Sequence, residues 1–82
     1  MYTLEFSDLA RKQLLKLPKE TQKRIIAVLE RIRIRPEAYV TKLVGDPGYR
    51  LRVGDYRVII DIQKDTLFIL VLKVGHRKNI YQ

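Results

Sequence analysis

Apolar and polar positions along this chain change their spacing part-way, and each spacing predicts a different element. Residues 1–6 alternate, with Tyr2, Leu4 and Phe6 on one side, which predicts a first strand. Ser7 offers a helix N-cap and Asp8 a favourable charge in the first turn. The helix is expected over Asp8–Leu17, with Leu14 and Leu17 three apart and Leu9 or Ala10 about a turn earlier; Pro18 ends it. A second helix is expected over Lys19–Arg35, with Ile25, Val28, Leu29 and Ile32 as its apolar stripe and Pro36 as its stop. The two make an αα-hairpin with a tight corner at Pro18.

Residues 36–48 read as a loop, with one helical turn near Glu37–Tyr39 and turn chemistry at Gly45-Asp46-Pro47-Gly48. The period then becomes two. Tyr49, Leu51 and Val53 alternate with Arg50 and Arg52, and Gly54-Asp55 signals a two-residue hairpin. Tyr56–Ile62 is the return strand, Lys64-Asp65 a second turn, and Thr66–Val74 a very apolar last strand that Gly75 breaks. The order β-α-α-β-β-β predicts one α+β domain over residues 1–82, an antiparallel sheet packed on the N-terminal αα-hairpin.

A two-residue turn fixes the hairpin register. Val53 faces Tyr56, Arg52 faces Arg57, Leu51 faces Val58 and Arg50 faces Ile59. Arg52 and Arg57 are then about 5 Å apart at Cβ, with Arg50 on the same face, and like charges so placed destabilise a sheet. Asp61 shares the parity but lies about 13 Å along the strand from Arg57. A phosphate supplies the missing charge through paired guanidinium hydrogen bonds, and three such groups suit a five-coordinate phosphorus transition state. The alternative is arginines splayed into water, where the repulsion is about 1 kcal/mol or less.

The other face, with Tyr49, Leu51, Val53, Tyr56, Val58, Ile60 and Ile62, is the expected core face. A two-residue turn at Lys64-Asp65 puts Phe68, Leu70 and Leu72 on the arginine face, uncovered, to receive a partner helix or strand or the chain's own C-terminal tail. His76 and Arg77 follow the last strand and are expected close to the arginines. Histidine ordinarily titrates near neutrality. Tyr81 is a terminal anchor or a proton-transfer group.

Charge sharpens this picture. The 82 residues carry a net charge of +8 with a pI near 10.1, which suits a polyanionic partner. A solvated surface of many Lys/Arg–Glu pairs is the other use of such a composition. Both halves of the chain are equally basic, so an anion site must be built by folding. Arg24, Arg31 and Arg35 make a basic stripe on the second helix, either an RNA grip or a solvated face. With no cysteine and one histidine, disulfides, thiol chemistry and a structural zinc site are excluded, and no metal or cofactor is expected. No apolar run approaches the roughly 20 residues of a membrane span, and the N-terminus lacks signal-peptide regions, so the expectation is cytoplasmic, with no membrane partner.

Three segments together, Lys42-Leu43-Val44-Gly45, Tyr49 through Ile60, and Val74-Gly75-His76-Arg77-Lys78 with Tyr81, resemble the RelE/ParE toxin superfamily of toxin–antitoxin systems. The likeness covers nearly the whole chain and is most specific from Tyr49 to Val58. For the RelE branch it implies an endoribonuclease that cuts mRNA in the ribosomal A site without a metal. The ribose 2′-OH attacks the adjacent phosphate and leaves a cyclic phosphate and a free 5′-OH. By the same resemblance Arg50 and Arg52 contact phosphate, one of them assisting 2′-OH deprotonation. Arg57 and Arg77 stabilise the transition state, Tyr81 stacks on the base or transfers a proton, and His76 is the preferred general acid or base. Lys42 and Lys78 join Arg24, Arg31 and Arg35 as RNA contacts. Arg50 and Arg52 stand where bacterial RelE has lysines, and arginine is a poor base, which moves proton transfer toward His76 or Tyr81. The implied partners are a cognate antitoxin, acidic or amphipathic, and mRNA with ribosomal RNA. Two other readings stay open: a ParE-type inhibitor of DNA gyrase without nuclease chemistry, and a non-catalytic RNA-binding module.

Overall fold

Strand β1 (Thr3–Phe6) runs into helix α1 (Asp8–Leu15) through Ser7, in a computed structural model that describes residues 1–45 and 48–78. Ser7 Oγ accepts the Ala10 N–H at 3.0 Å, the expected cap. Helix α2 covers Lys19–Ile32 and ends earlier than expected. The residue before a proline avoids the helical region, and Arg35, ahead of Pro36, is extended at φ −145° and ψ 75°. Arg33, the C-cap, donates from its guanidinium to Glu30 Oε1 at 2.7 Å and to the Tyr2 carbonyl at 2.8 Å. Pro36 does more than stop a helix, because Pro36–Ala38 form a 3-10 turn.

Four strands follow: β2 (Val40–Lys42), β3 (Tyr49–Val53), β4 (Tyr56–Gln63) and β5 (Phe68–His76). The sheet order is β1-β5-β4-β3-β2. Strand β2 falls in the segment expected to be loop. The sheet is mixed rather than antiparallel, since β1 lies parallel to β5, pairing Thr3 with Phe68 through Phe6 with Val71. The helices cover one face. Ala10, Ile25, Leu29 and Ile32 pack there against Leu51, Val58, Ile60, Ile69 and Val71 in a single core. Full burial of such side chains contributes about 1.5–3 kcal/mol each, and the core charges nothing against this, because no polar side chain of the described residues is buried. Among the described residues, no helix is long and apolar enough to cross a membrane.

Strand β5 departs from expectation in two ways. The turn before it spans residues 64–67, with Leu67 at φ 53°, instead of two residues. An even loop keeps the parity, so Phe68 still faces Gln63 and Leu70 faces Asp61 on the open face. Then Ile60 pairs with Val71 while Ile59 pairs with Lys73, which leaves Leu72 as the extra residue of a β-bulge. Helix α1 satisfies the backbone that the bulge displaces: the Ser7 hydroxyl donates to the Leu72 carbonyl at 3.0 Å, and Gln13 Oε1 accepts the Val74 N–H at 2.8 Å. Gly75 does not break the strand, which runs on to His76.

Candidate nucleic-acid interface

The site is built on the β3–β4 hairpin. Gly54 sits at φ 59°, the left-handed conformation a tight turn requires. The register is Val53↔Tyr56, Arg52↔Arg57, Leu51↔Val58 and Arg50↔Ile59, as the two-residue turn predicts. Three guanidinium groups therefore share the face away from the helices. Arg50, Arg52 and Arg57, with Tyr39 and Thr41, line an open cavity of about 230 Å³. Thr41 arrives from β2, where it pairs with Arg50, and Tyr39 from the end of the 3-10 turn.

Electrostatics favour an anion here. Among the described residues, no carboxylate lines the cavity. The Asp61 carboxylate accepts from Gln63 Nε2 at 2.7 Å, farther along β4. Arg52 is exposed and has no ion-pair partner among the described residues. Arg57 uses one terminal nitrogen for long bonds to the Tyr56 and Gly54 carbonyls, at 3.3 and 3.5 Å, which leaves its other donors for a ligand. A wider depression of about 470 Å³ lies along α2 between Glu20, Thr21, Lys23 and Arg24, where Glu20 offsets part of the charge. No cluster of metal-ligating side chains occurs among the described residues.

One wall of the face was not expected. Ile59 shares the arginine face yet is only 7% exposed. The β2–β3 loop closes with the Leu43 N–H on the Gly48 carbonyl at 3.1 Å. A Cβ on Gly48 would stand 3.5 Å from both Ile59 Cγ2 and Leu43 Cδ1, so the loop packs onto this isoleucine. Thr41 and Tyr39 join the site through the pairing of β2 with β3, which no local pattern in the sequence announces. Tyr39 did fall in an expected helical turn, and an exposed aromatic ahead of a basic hairpin was the available signal.

Other expected site residues are placed differently. His76 pairs with Tyr56, on the helix side of the sheet, and meets that ring edge-on at 5.6 Å and 75°. Its Nδ1 accepts the Lys78 N–H at 3.3 Å. The bulge is the reason: each residue beyond Leu72 faces the side opposite to simple alternation, so Gly75, not His76, joins Arg57. Arg77 is exposed, and its N–H extends the ladder to the Asp55 carbonyl at 2.9 Å, beside the hairpin turn. Lys78 is exposed in the turn that follows. Lys42 pairs with Tyr49 on the helix side, its Nζ 5.2 Å from the ring centroid, apart from the arginine cavity. Arg24 and Arg31 are exposed on α2, but Arg35 is off the helix, so the three do not make one stripe. The Arg24 guanidinium reaches the hairpin tip, where a Cβ on Gly54 would stand 3.3 Å from its Nη1. Phe68, Leu70 and Leu72 are half-buried rather than uncovered. Tyr81 lies outside the described residues.

Comparison with known proteins agrees with this fold. A family described as ParE toxin of type II toxin-antitoxin system, parDE, matches residues 4–81. No curated protein matches the sequence. The RelE–RelB complex from Pyrococcus horikoshii OT3 is similar at 30% identity and TM-score 0.80, over 95% of this chain and 97% of that one. The RelB–RelE antitoxin–toxin complex from Methanococcus jannaschii is similar at 32% identity and TM-score 0.73, over 93% of each chain. The RelBE2 toxin–antitoxin complex from Mycobacterium tuberculosis is similar at 27% identity and TM-score 0.80, over 95% of this chain and 93% of that one.

Proposed function

This chain belongs to the RelE/ParE superfamily as a toxin of a toxin–antitoxin system, and we propose that it is a RelE-type endoribonuclease that cleaves mRNA in the ribosomal A site. The observation that carries this reading is the cavity where Arg50, Arg52 and Arg57 converge with no carboxylate among its described lining residues. In the proposed reaction the ribose 2′-oxygen attacks the adjacent phosphorus and loses its proton. The bond from phosphorus to the 5′-oxygen breaks, and that oxygen takes up a proton. The products are a cyclic phosphate and a free 5′-OH. The five-coordinate intermediate carries extra negative charge, and Arg52 and Arg57, side by side on adjacent strands, stabilise it from one side. Arg50 holds the phosphate in register. Guanidinium groups supply this charge, so the proposed step uses no metal.

Arginine stays charged at any ordinary pH and makes a poor base. His76 lies on the helix side with Tyr56. The proposal therefore gives proton transfer to Tyr81 and leaves Arg77, at the hairpin end of the sheet, as the further transition-state cation. A cognate antitoxin of acidic or amphipathic character covers the open face, using the half-buried Phe68, Leu70 and Leu72 and screening the arginines. The toxin acts in the cytoplasm, where its mRNA and ribosomal RNA partners are.

Gyrase inhibition is the second reading, favoured by the parDE description of the matching family. Adding the protein to a translating extract and mapping the RNA ends tests the first. Wild type is expected to cut, and Arg57→Ala to lose on the order of 10²-fold or more, as removal of a transition-state donor does. Inhibited gyrase supercoiling with no new RNA ends would replace the nuclease reading with the inhibitor one.

A further inference from the structure

We propose that Tyr39 is a stacking platform that positions an unpaired RNA base beside the phosphate held by the arginines. This rests on the reading of the cavity as an RNA-phosphate site. Tyr39 is an aromatic residue on the cavity wall, which it shares with three arginines, and is 49% exposed. A tyrosine ring half exposed on the wall of a cationic cavity offers a flat apolar face that a nucleic-acid base can cover. Its backbone is fixed: the Tyr39 N–H donates to the Pro36 carbonyl at 3.1 Å and the Ala38 N–H to the Arg35 carbonyl at 3.2 Å. Pro36 is buried and Val40 begins β2 at once, so the ring is carried between a rigid turn and a strand. Thr41, two residues on, faces Arg50 directly across the sheet. A nucleotide whose phosphate sits on the guanidinium groups therefore has the Tyr39 ring on the wall of the same cavity. Recognition of single-stranded RNA combines these two parts, a cationic track for the backbone and an aromatic face for the base. Stacking accepts any base, so Tyr39 contributes affinity and geometry rather than sequence preference.

The test compares two probes with the full chain: a fluorescein-labelled, 2′-O-methylated oligoadenylate and the same backbone with abasic sites. Wild type is expected to bind the base-bearing probe about 5- to 10-fold more tightly, the lower part of the range for one stacked base. Tyr39→Ala should abolish that preference, Tyr39→Trp and Tyr39→Phe should keep it, and Tyr39→Leu, apolar but not flat, should not. Arg52→Ala should weaken both probes equally. A base preference that survives in Tyr39→Ala, or is absent from wild type, overturns the stacking role. The arginine reading is judged separately by the Arg57→Ala cleavage assay on ribosomes, so the two fail independently. Circular dichroism melts of each variant confirm folding, which the exposure of Tyr39 favours.

Discussion

Exchanging Arg52 for threonine removes one of two guanidinium groups that the hairpin sets directly opposite each other. At a separation of about 5 Å in water, two unit charges repel by about 0.8 kcal/mol. The side chains lengthen that distance by splaying, which brings the figure nearer 0.5 kcal/mol. Measured cross-strand effects of about 0.2–1 kcal/mol bracket the same value. Threonine is also the better strand residue, worth a further few tenths. Arg52 is exposed and has no ion-pair partner among the described residues, so little is lost in exchange. Arg52→Thr is therefore expected to stabilise the free chain by about 0.5–1 kcal/mol, which raises the melting temperature of a domain this size by about 2–8 °C. Thermal melts at low and high salt test it. Near 1 M salt the screening length falls to about 3 Å, so the electrostatic part of the gain should disappear and only the propensity part remain. Added phosphate should protect wild type more than the variant, because a ligand stabilises the state that binds it. A variant that melts below wild type at low salt, or whose advantage ignores salt, would refute the claim that these arginines repel each other in the absence of an anion.

The remaining predictions concern other parts of the fold. His76→Ala should change ribosome-dependent cleavage by less than about threefold, since the ring packs on Tyr56 away from the arginines; a loss of about 10²-fold in the folded variant would return the histidine to the chemistry. Burial, and then the Glu37 carboxylate that accepts its hydroxyl at 3.3 Å, raise the pKa of Tyr2 above its ordinary 10.0. The folded chain thus holds that proton more tightly than the unfolded chain, so the Tyr2 contribution is complete below about pH 10 and is lost as pH climbs through the folded value. Urea titrations across the alkaline range should show a shallower decline in Tyr2→Phe, and an unchanged slope would remove Tyr2 as its source.

How far the sequence foretold the site varies residue by residue. The arginine register was readable because a two-residue turn dictates which residues face each other, and Gly54 adopts the positive φ that such a turn needs. The Ser7 cap and the burial of Ile25, Leu29 and Ile32 were equally local, fixed by helical spacing and one hydroxyl. Strand β2 was hidden because three residues after a 3-10 turn carry no periodicity of their own. The parallel pairing of Thr3–Phe6 with β5 joins distant parts of the chain, and alternation says nothing of direction.

The bulge at Leu72 decides more than any of these. Strict alternation from Phe68 would carry residues 70, 72, 74 and 76 onto the open face, which turns Val74 to solvent and His76 toward the arginines. One added residue reverses everything after it. Val74 enters the core at 2% exposure, exposed Lys73 comes to stand opposite Ile59, and Gly75 comes to stand opposite Arg57. A glycine there adds no side chain beside Arg57, so β5 does not crowd that guanidinium. Helix α1 holds the bulge through its cap Ser7 and through Gln13. The openness of the arginine cavity is thus coupled to the N-cap of a helix on the far side of the sheet. The residue that caps α1 also holds the bulge that sets which side chains of β5 face the arginine cavity.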